Sequence, residues 1–265
     1  MLKDLTLPLW EYRGFILASV QREFMIRYRS SVLGSLWSFL NPLAMILVYT
    51  VIFSQIMQAK LPGVENGMAY SIYLCAGVLT WGLHSEILSR SVNVFVEHAN
   101  MIKKLSFPKI SLPAIVILSS LTNFAIIFGI FIGFLILSGN FPDLPLLAVP
   151  LLLMLQILFA ASLGLILGLL NVFFRDVGQF VGIILQFWFW FTPIVYPLSI
   201  VPQSMQDWIH LNPMAALMSA YQGIFVLNQW PDWESLLPLL VVSLVTVLAG
   251  LRLFRKLSPE MVDEL

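Results

Sequence analysis

Six long stretches of this chain carry no Asp, Glu, Lys or Arg: Ser30–Ala59, Asn66–Ser85, Ile110–Pro142, Leu144–Phe174, Val177–Gln206 and Ser235–Leu251. A helix needs about 20 apolar residues to cross about 30 Å of hydrocarbon. The stretches predict helices at Leu33–Phe53, Tyr70–Phe95, Ser111–Leu137, Leu146–Asn171, Val177–Tyr196 and Leu236–Phe254. Composition excludes a soluble alternative. Of 265 residues 59% are apolar, and 14 basic plus 14 acidic side chains cannot coat such a core. Zero net charge with no basic patch excludes nucleic-acid binding. One cysteine, Cys75, excludes an internal disulfide or a cysteine-built metal site. The reading is an all-α integral membrane protein, one membrane domain over residues 1–265, with no repeat and no linker.

Orientation follows from the basic residues. Trp208–Trp230 is also charge-free, but His210, Asn212, Pro213, Gln222 and Gly223 predict two short helices there. Counting it as a seventh span would put Arg252, Arg255 and Lys256 opposite the other basic residues. With six spans, every basic residue except Lys60 lies on the cytoplasmic side, as the positive-inside rule requires. The expectation is a bundle over 31–254 with an outer re-entrant hairpin at 198–232. Both termini are expected in the cytoplasm, with a tail at 255–265. Residues 1–30 lack the apolar run and cleavage site of a signal peptide. They predict a helix lying in the cytoplasmic interface, with Glu11, Arg22 and Arg29 opposite Leu9, Tyr12, Ile16, Val20 and Phe24. Arg13 and Arg27 interrupt the apolar face and must snorkel. A plain positive anchor accounts for the same residues.

The chemistry is sparse. No G-x-x-x-x-G-K-[ST] loop is present to cradle a nucleotide, so no cofactor is expected on this chain. There is no H-E-x-x-H or G-x-S-x-G motif, and His84, His98 and His210 are scattered. Glu86 and Arg90 sit within the second span at i,i+4, with Glu86 about 24 Å from Tyr70 at 1.5 Å per residue. They read as a mutually neutralising intramembrane pair or as a functional one. Gly129/Gly133 and Gly164/Gly168 allow close helix approach, more readily within the subunit than across a dimer. Phe187, Trp188, Phe189, Trp190 and Phe191, followed by Tyr196, form either an interfacial belt or a surface on which sugar rings stack. Between the second and third spans, the loop Glu97–Lys109, which contains Asn100-Met101-Ile102-Lys103-Lys104 and Phe107, predicts two to three helical turns ending before Pro108. Met101, Ile102 and Leu105 there form an apolar edge suited to a protein partner.

These fragments, in order, resemble the membrane subunits of type-2 ABC exporters for polysaccharides such as O-antigen, capsule and teichoic acid. Arg27-Tyr28-Arg29-Ser30-Ser31-Val32-Leu33-Gly34-Ser35-Leu36-Trp37 with Asn41-Pro42 resembles that family's approach to its first span. Asn100–Lys104 through Phe107-Pro108 resembles its ATPase-coupling segment. Asn171-Val172-Phe173-Phe174-Arg175-Asp176-Val177 resembles its turn between the fourth and fifth spans. Thr192-Pro193-Ile194-Val195-Tyr196-Pro197 and Leu211-Asn212-Pro213-Met214 resemble its outer gate. The resemblance implies a homodimer joined to two copies of a separate ATP-binding subunit, which would hold ATP and Mg. It also implies a lipid-linked polysaccharide substrate, aromatic side chains lining the conduit, and residence in the cytoplasmic (inner) membrane in contact with its lipids. A drug or lipid exporter would share this topology, and a membrane glycosyl- or acyltransferase would need acid–base groups that are not evident.

Overall fold

The computed structural model describes residues 9–28, 36–56, 61–62, 64, 66–105 and 107–265. Lys3, Arg29, Lys60 and most of the Arg27–Trp37 motif therefore lie outside the described residues or at their edge. Every regular element among the described residues is helical. α1 spans Arg13–Tyr28. α2 spans Trp37–Tyr49 and runs into a wider, π-type turn at Thr50–Ile56. α3 spans Ala69–Glu97, α4 Ala99–Lys104 and α5 Ser111–Leu137. α6 spans Val149–Phe173, after a 3-10 turn at Leu144–Ala148, and α7 spans Asp176–Trp190. α8 covers Gln203–His210, α9 Pro213–Leu227, α10 Trp233–Leu257 and α11 Met261–Glu264.

Three of these are long and apolar enough to cross a membrane: Ser111–Leu137, Leu144–Phe173 and Trp233–Leu257, each with mean hydropathy of 2.3 to 2.4. α3 is as long but more polar, and its position explains why. It is the axis of the bundle, packed on α5, α6, α7 and α9, so protein rather than lipid surrounds Ser71, Thr80, His84 and Ser91, all buried. The close approach of α3 and α6 depends on glycine. A Cβ on Gly164 would lie 2.6 Å from Ser91 Cβ, and one on Gly168 would lie 2.5 Å from the Ser91 carbonyl oxygen. Gly129 and Gly133 meet nothing within 4 Å. The second small-residue pair thus packs within the subunit, and the first has no such contact among the described residues.

The helix boundaries depart from the sequence expectations in three instructive places. The fifth helix was expected to reach Tyr196, yet α7 stops at Trp190, because Pro193 and Pro197 lack N–H groups and push their predecessors out of the α region. Within the loop Glu97–Lys109 the helix covers Ala99–Lys104, under two turns rather than two to three. It follows α3 after a single residue, His98, and Leu105 is already extended. Within Trp208–Trp230 two helices form as expected, but the break falls at Leu211–Asn212 alone, and Gln222 and Gly223 continue α9. α1 buries Ile16 and half-buries Ser19, Val20, Glu23 and Phe24 against the bundle, the i, i+3, i+4, i+7, i+8 stripe of an amphipathic helix.

Candidate functional site: an aromatic cleft and a terminal helix

From Phe191 to Pro197 the chain is irregular, and its carbonyls need partners to be stable inside a bundle. α3 and α9 supply them. Tyr70 Oη donates to the Val195 carbonyl at 2.7 Å, and Tyr73 Oη reaches the carbonyls of Pro193 (3.0 Å) and Tyr196 (2.9 Å). Gln222 Nε2 donates to Pro193 (3.1 Å) and Ile194 (3.3 Å). This explains a buried glutamine within an apolar helix: it serves the proline segment of another element. Thr192 and Ile194 are fully buried at the centre of this network.

Asn212 joins α7 to α9. Its Oδ1 caps α9 by accepting from the Met214 amide (3.0 Å), with Pro213 at the first helical position, where a missing N–H costs nothing. The same oxygen accepts Trp188 Nε1 at 2.8 Å, while Nδ2 donates to the Phe191 carbonyl (3.2 Å) and Thr192 Oγ1 (2.9 Å). Beside this junction opens a cleft of about 990 Å³, lined by Trp188, Trp190, Phe191, Tyr196, Trp208 and Asn212 among others, with no charged side chain in its wall. Tyr196 is held by donating to the Trp190 carbonyl at 2.8 Å. Four of the six aromatics singled out in the sequence therefore meet in one cleft. Phe187 is exposed and does not line it. Phe189 turns inward to Trp81, ring centroids 6.0 Å apart.

At the far end of α3 lies α4. Asn100, Lys103 and Lys104 are exposed, Met101 and Phe107 half-buried. Of the apolar edge expected for a partner, Ile102 is only 6% exposed and packs into this chain's own cluster with Ile16, Phe95, Leu169 and Met261. Leu105, at 58% exposure, is the apolar residue left on the surface. The Phe107 ring lies 5.8 Å from Phe15 of α1. The last residues fold back here: Met261 is fully buried, α11 packs on α4 and α6, and Lys109 Nζ donates to the Ser258 carbonyl. Burial draws the Lys109 ammonium below its ordinary pKa, and nearby Asp263 opposes that shift.

The Glu86–Arg90 pair is present, 3.6 Å apart, and belongs to a larger polar cluster. Arg90 binds Glu23 of α1 at 2.5 Å, Ser119 Oγ donates to the same Glu23 oxygen (2.7 Å), and Asn123 Nδ2 donates to Glu86 (2.9 Å). Glu23 was not anticipated as a partner. Its signal was available, a lone acid on the buried stripe of an otherwise basic amphipathic helix. Among the described residues no three His, Cys, Asp or Glu side chains gather in a way that could hold a metal.

Long apolar helices, an axial helix with a polar interior and an irregular proline segment satisfied by its neighbours define a multi-pass membrane protein. The family model for the ABC-2 type transporter matches residues 15–226. The chain belongs to that family, the membrane permease subunits of ABC-2 exporters, which lack an ATPase site of their own. It is 32% identical over 259 residues to the O-antigen export system permease protein RfbA of Myxococcus xanthus, covering 97% of both chains. It is 29% identical over 238 residues to the protein of the same name from Klebsiella pneumoniae, covering 89% of each. Over 235 residues it is 23% identical to the polysialic acid transport protein KpsM of Escherichia coli, covering 88% of this chain and 90% of the other.

Proposed function

We propose that this chain is the membrane subunit of an ATP-driven exporter that moves a lipid-linked, O-antigen-like polysaccharide across the cytoplasmic membrane. Two copies would form the conduit and join two copies of a separate ATP-binding subunit, which would bind ATP and Mg. The observation that carries the reading is the charge-free cleft of Trp188, Trp190, Phe191, Tyr196 and Trp208. A polymer must slide, so its contacts should be weak and repeated. The apolar faces of sugar rings stack on aromatic rings at about 0.5–1.5 kcal/mol per contact beyond burial, and a strong ion pair would stall the chain.

Six spans complete the topology in this reading: α2 with its π-type extension, α3, α5, α6, α7 and α10. Basic residues then gather on the α4 side, which is cytoplasmic by the positive-inside rule. The cleft, with α8 and α9 as its hairpin, faces the outside. Exposed Asn100, Lys103, Lys104 and Leu105 offer α4 to the ATPase, with Met101 and Phe107 behind them and Ile102 anchoring the helix to the bundle. The exposed apolar faces of α2 (Phe39, Leu43, Leu47) and α7 (Phe180, Ile183, Phe187) leave area for the second copy and for lipid. The test is reconstitution in liposomes. The chain alone should hydrolyse no ATP, and co-reconstitution with its ATPase should give ATP-dependent uptake of lipid-linked polysaccharide. Turnover by the chain alone, or transport of small amphiphiles without polysaccharide, would overturn the reading.

A further inference from the structure

His84 lies at the middle of α3, fully buried, and neither ring nitrogen has a hydrogen-bond partner among the described residues. A neutral imidazole carries one donor and one acceptor, and most buried polar groups are paired, so an orphan of this kind calls for an explanation. Its surroundings are aromatic. Phe159 stacks on it at 5.7 Å and 14°, Trp81 lies 5.4 Å away, and Trp188 meets it edge-on at 5.2 Å and 88°. None of these hydrogen-bonds the imidazole, and the single N–H of Trp188 is already given to Asn212 Oδ1 at 2.8 Å. Trp188 also lines the aromatic cleft. One indole ring therefore separates an unsatisfied donor–acceptor pair from the cavity. That indole makes one hydrogen bond, at the junction where α7 gives way to the proline segment, and packs edge-on against Trp81 at 5.9 Å and Phe159 at 6.1 Å.

We propose that His84 is a sugar-hydroxyl contact held behind Trp188, reached by the substrate when the end of α7 shifts and the indole leaves Asn212. The inference rests on the cleft being the path of a polysaccharide. A hydroxyl both donates and accepts, so it matches both imidazole nitrogens, and a contact exposed only in one arrangement of α7 binds the polymer in that arrangement and releases it in the other. The resting state carries the cost of the orphaned ring, and this distinguishes the idea from a packing role.

Two measurements test it, and the first does not depend on transport. In the purified chain, diethyl pyrocarbonate should modify exposed His210 but spare His84, and Trp188→Ala should open His84 to the reagent. Trp188→Leu serves the same end if the alanine variant does not fold. Modification of His84 at the His210 rate in the unaltered protein, or protection in the Trp188 variants, would overturn the wall. In the reconstituted complex, His84→Phe should raise the melting temperature, because it removes an orphaned polar group. The same variant should slow polysaccharide export about fivefold, equivalent to about 1 kcal/mol at 1.4 kcal/mol per tenfold, and His84→Gln should restore most of the rate. Unaltered export by His84→Phe would overturn the hydroxyl contact. Absence of export in the unaltered complex would instead fall on the functional reading, leaving the modification result to stand on its own.

Discussion

Arg90 is shared by two carboxylates, Glu23 and Glu86, on two helices. Removing the cation leaves both acids without it, whereas removing Glu23 leaves a helical i,i+4 pair. Breaking one side of a fully buried pair costs about 3–5 kcal/mol. Here the side chains keep 25% and 33% exposure, so the pair is only partly buried and the expected cost of Arg90→Gln is about 1–2 kcal/mol. Thermal unfolding in detergent should rank Arg90→Gln below Glu23→Gln, with the double variant between them. Equal stability of all three would remove the cluster from the account. The apolar residues at α4 give a second residue-scale prediction. Ile102→Ala should destabilise the chain by about 2–5 kcal/mol, as truncations of buried aliphatics do. Leu105→Ala should leave its melting point unchanged within about 0.5 kcal/mol and lower ATPase coupling instead. The one-dimensional spacing of Met101, Ile102 and Leu105 shows that they share an edge. It does not say which of them faces the chain's own core, because that depends on α1, α6 and α11 arriving from elsewhere in the sequence.

Helix existence was legible where composition alone decides it. Ser111–Leu137 is the same in sequence and structure, since a charge-free, largely apolar run from Ile110 to Gly139 leaves no other choice. The end of α7 was legible only through Pro193 and Pro197, whose effect reaches upstream to Phe191. Asn212 was visible as a helix breaker, but its bond to Trp188 was not, because it links residues 24 positions apart. Small residues show the same limit: Gly129/Gly133 and Gly164/Gly168 look alike in sequence, and among the described residues only the second pair meets a neighbour. Gly168→Ala should cost about 1–3 kcal/mol, since a backbone carbonyl cannot step aside as a flexible side chain could. Gly133→Ala should be neutral or stabilising by about 0.5–1 kcal/mol through the helix entropy it recovers. Melting of the two variants in one detergent checks the ranking, and a cost at Gly133 as large as at Gly168 would place an unrecognised contact on the α5 face.

At the scale of the molecule, α3 links two sites about 40 Å apart at 1.5 Å per residue, with Tyr70 and Tyr73 holding the proline segment and α4 attached at the other end. In a background with Cys75 replaced, single cysteines at Ser106 and Ser204 should react with an impermeant maleimide from opposite faces of the membrane. Reaction from one face would end the six-span topology. His84 and Glu23 mark where residue type alone was not enough. Each is a single polar residue in an apolar or basic stretch, and its meaning depends on which helix packs over it. The central claim is that the aromatic cleft carries the polysaccharide. Benzoylphenylalanine placed singly at Trp190 and Trp208 in exporting cells, then photoactivated, measures that directly. The account predicts glycan-bearing adducts at both positions and none at Leu244, which is exposed on the apolar face of α10. Adducts at Leu244 equal to those at Trp190 and Trp208, or none at either tryptophan position, would contradict it.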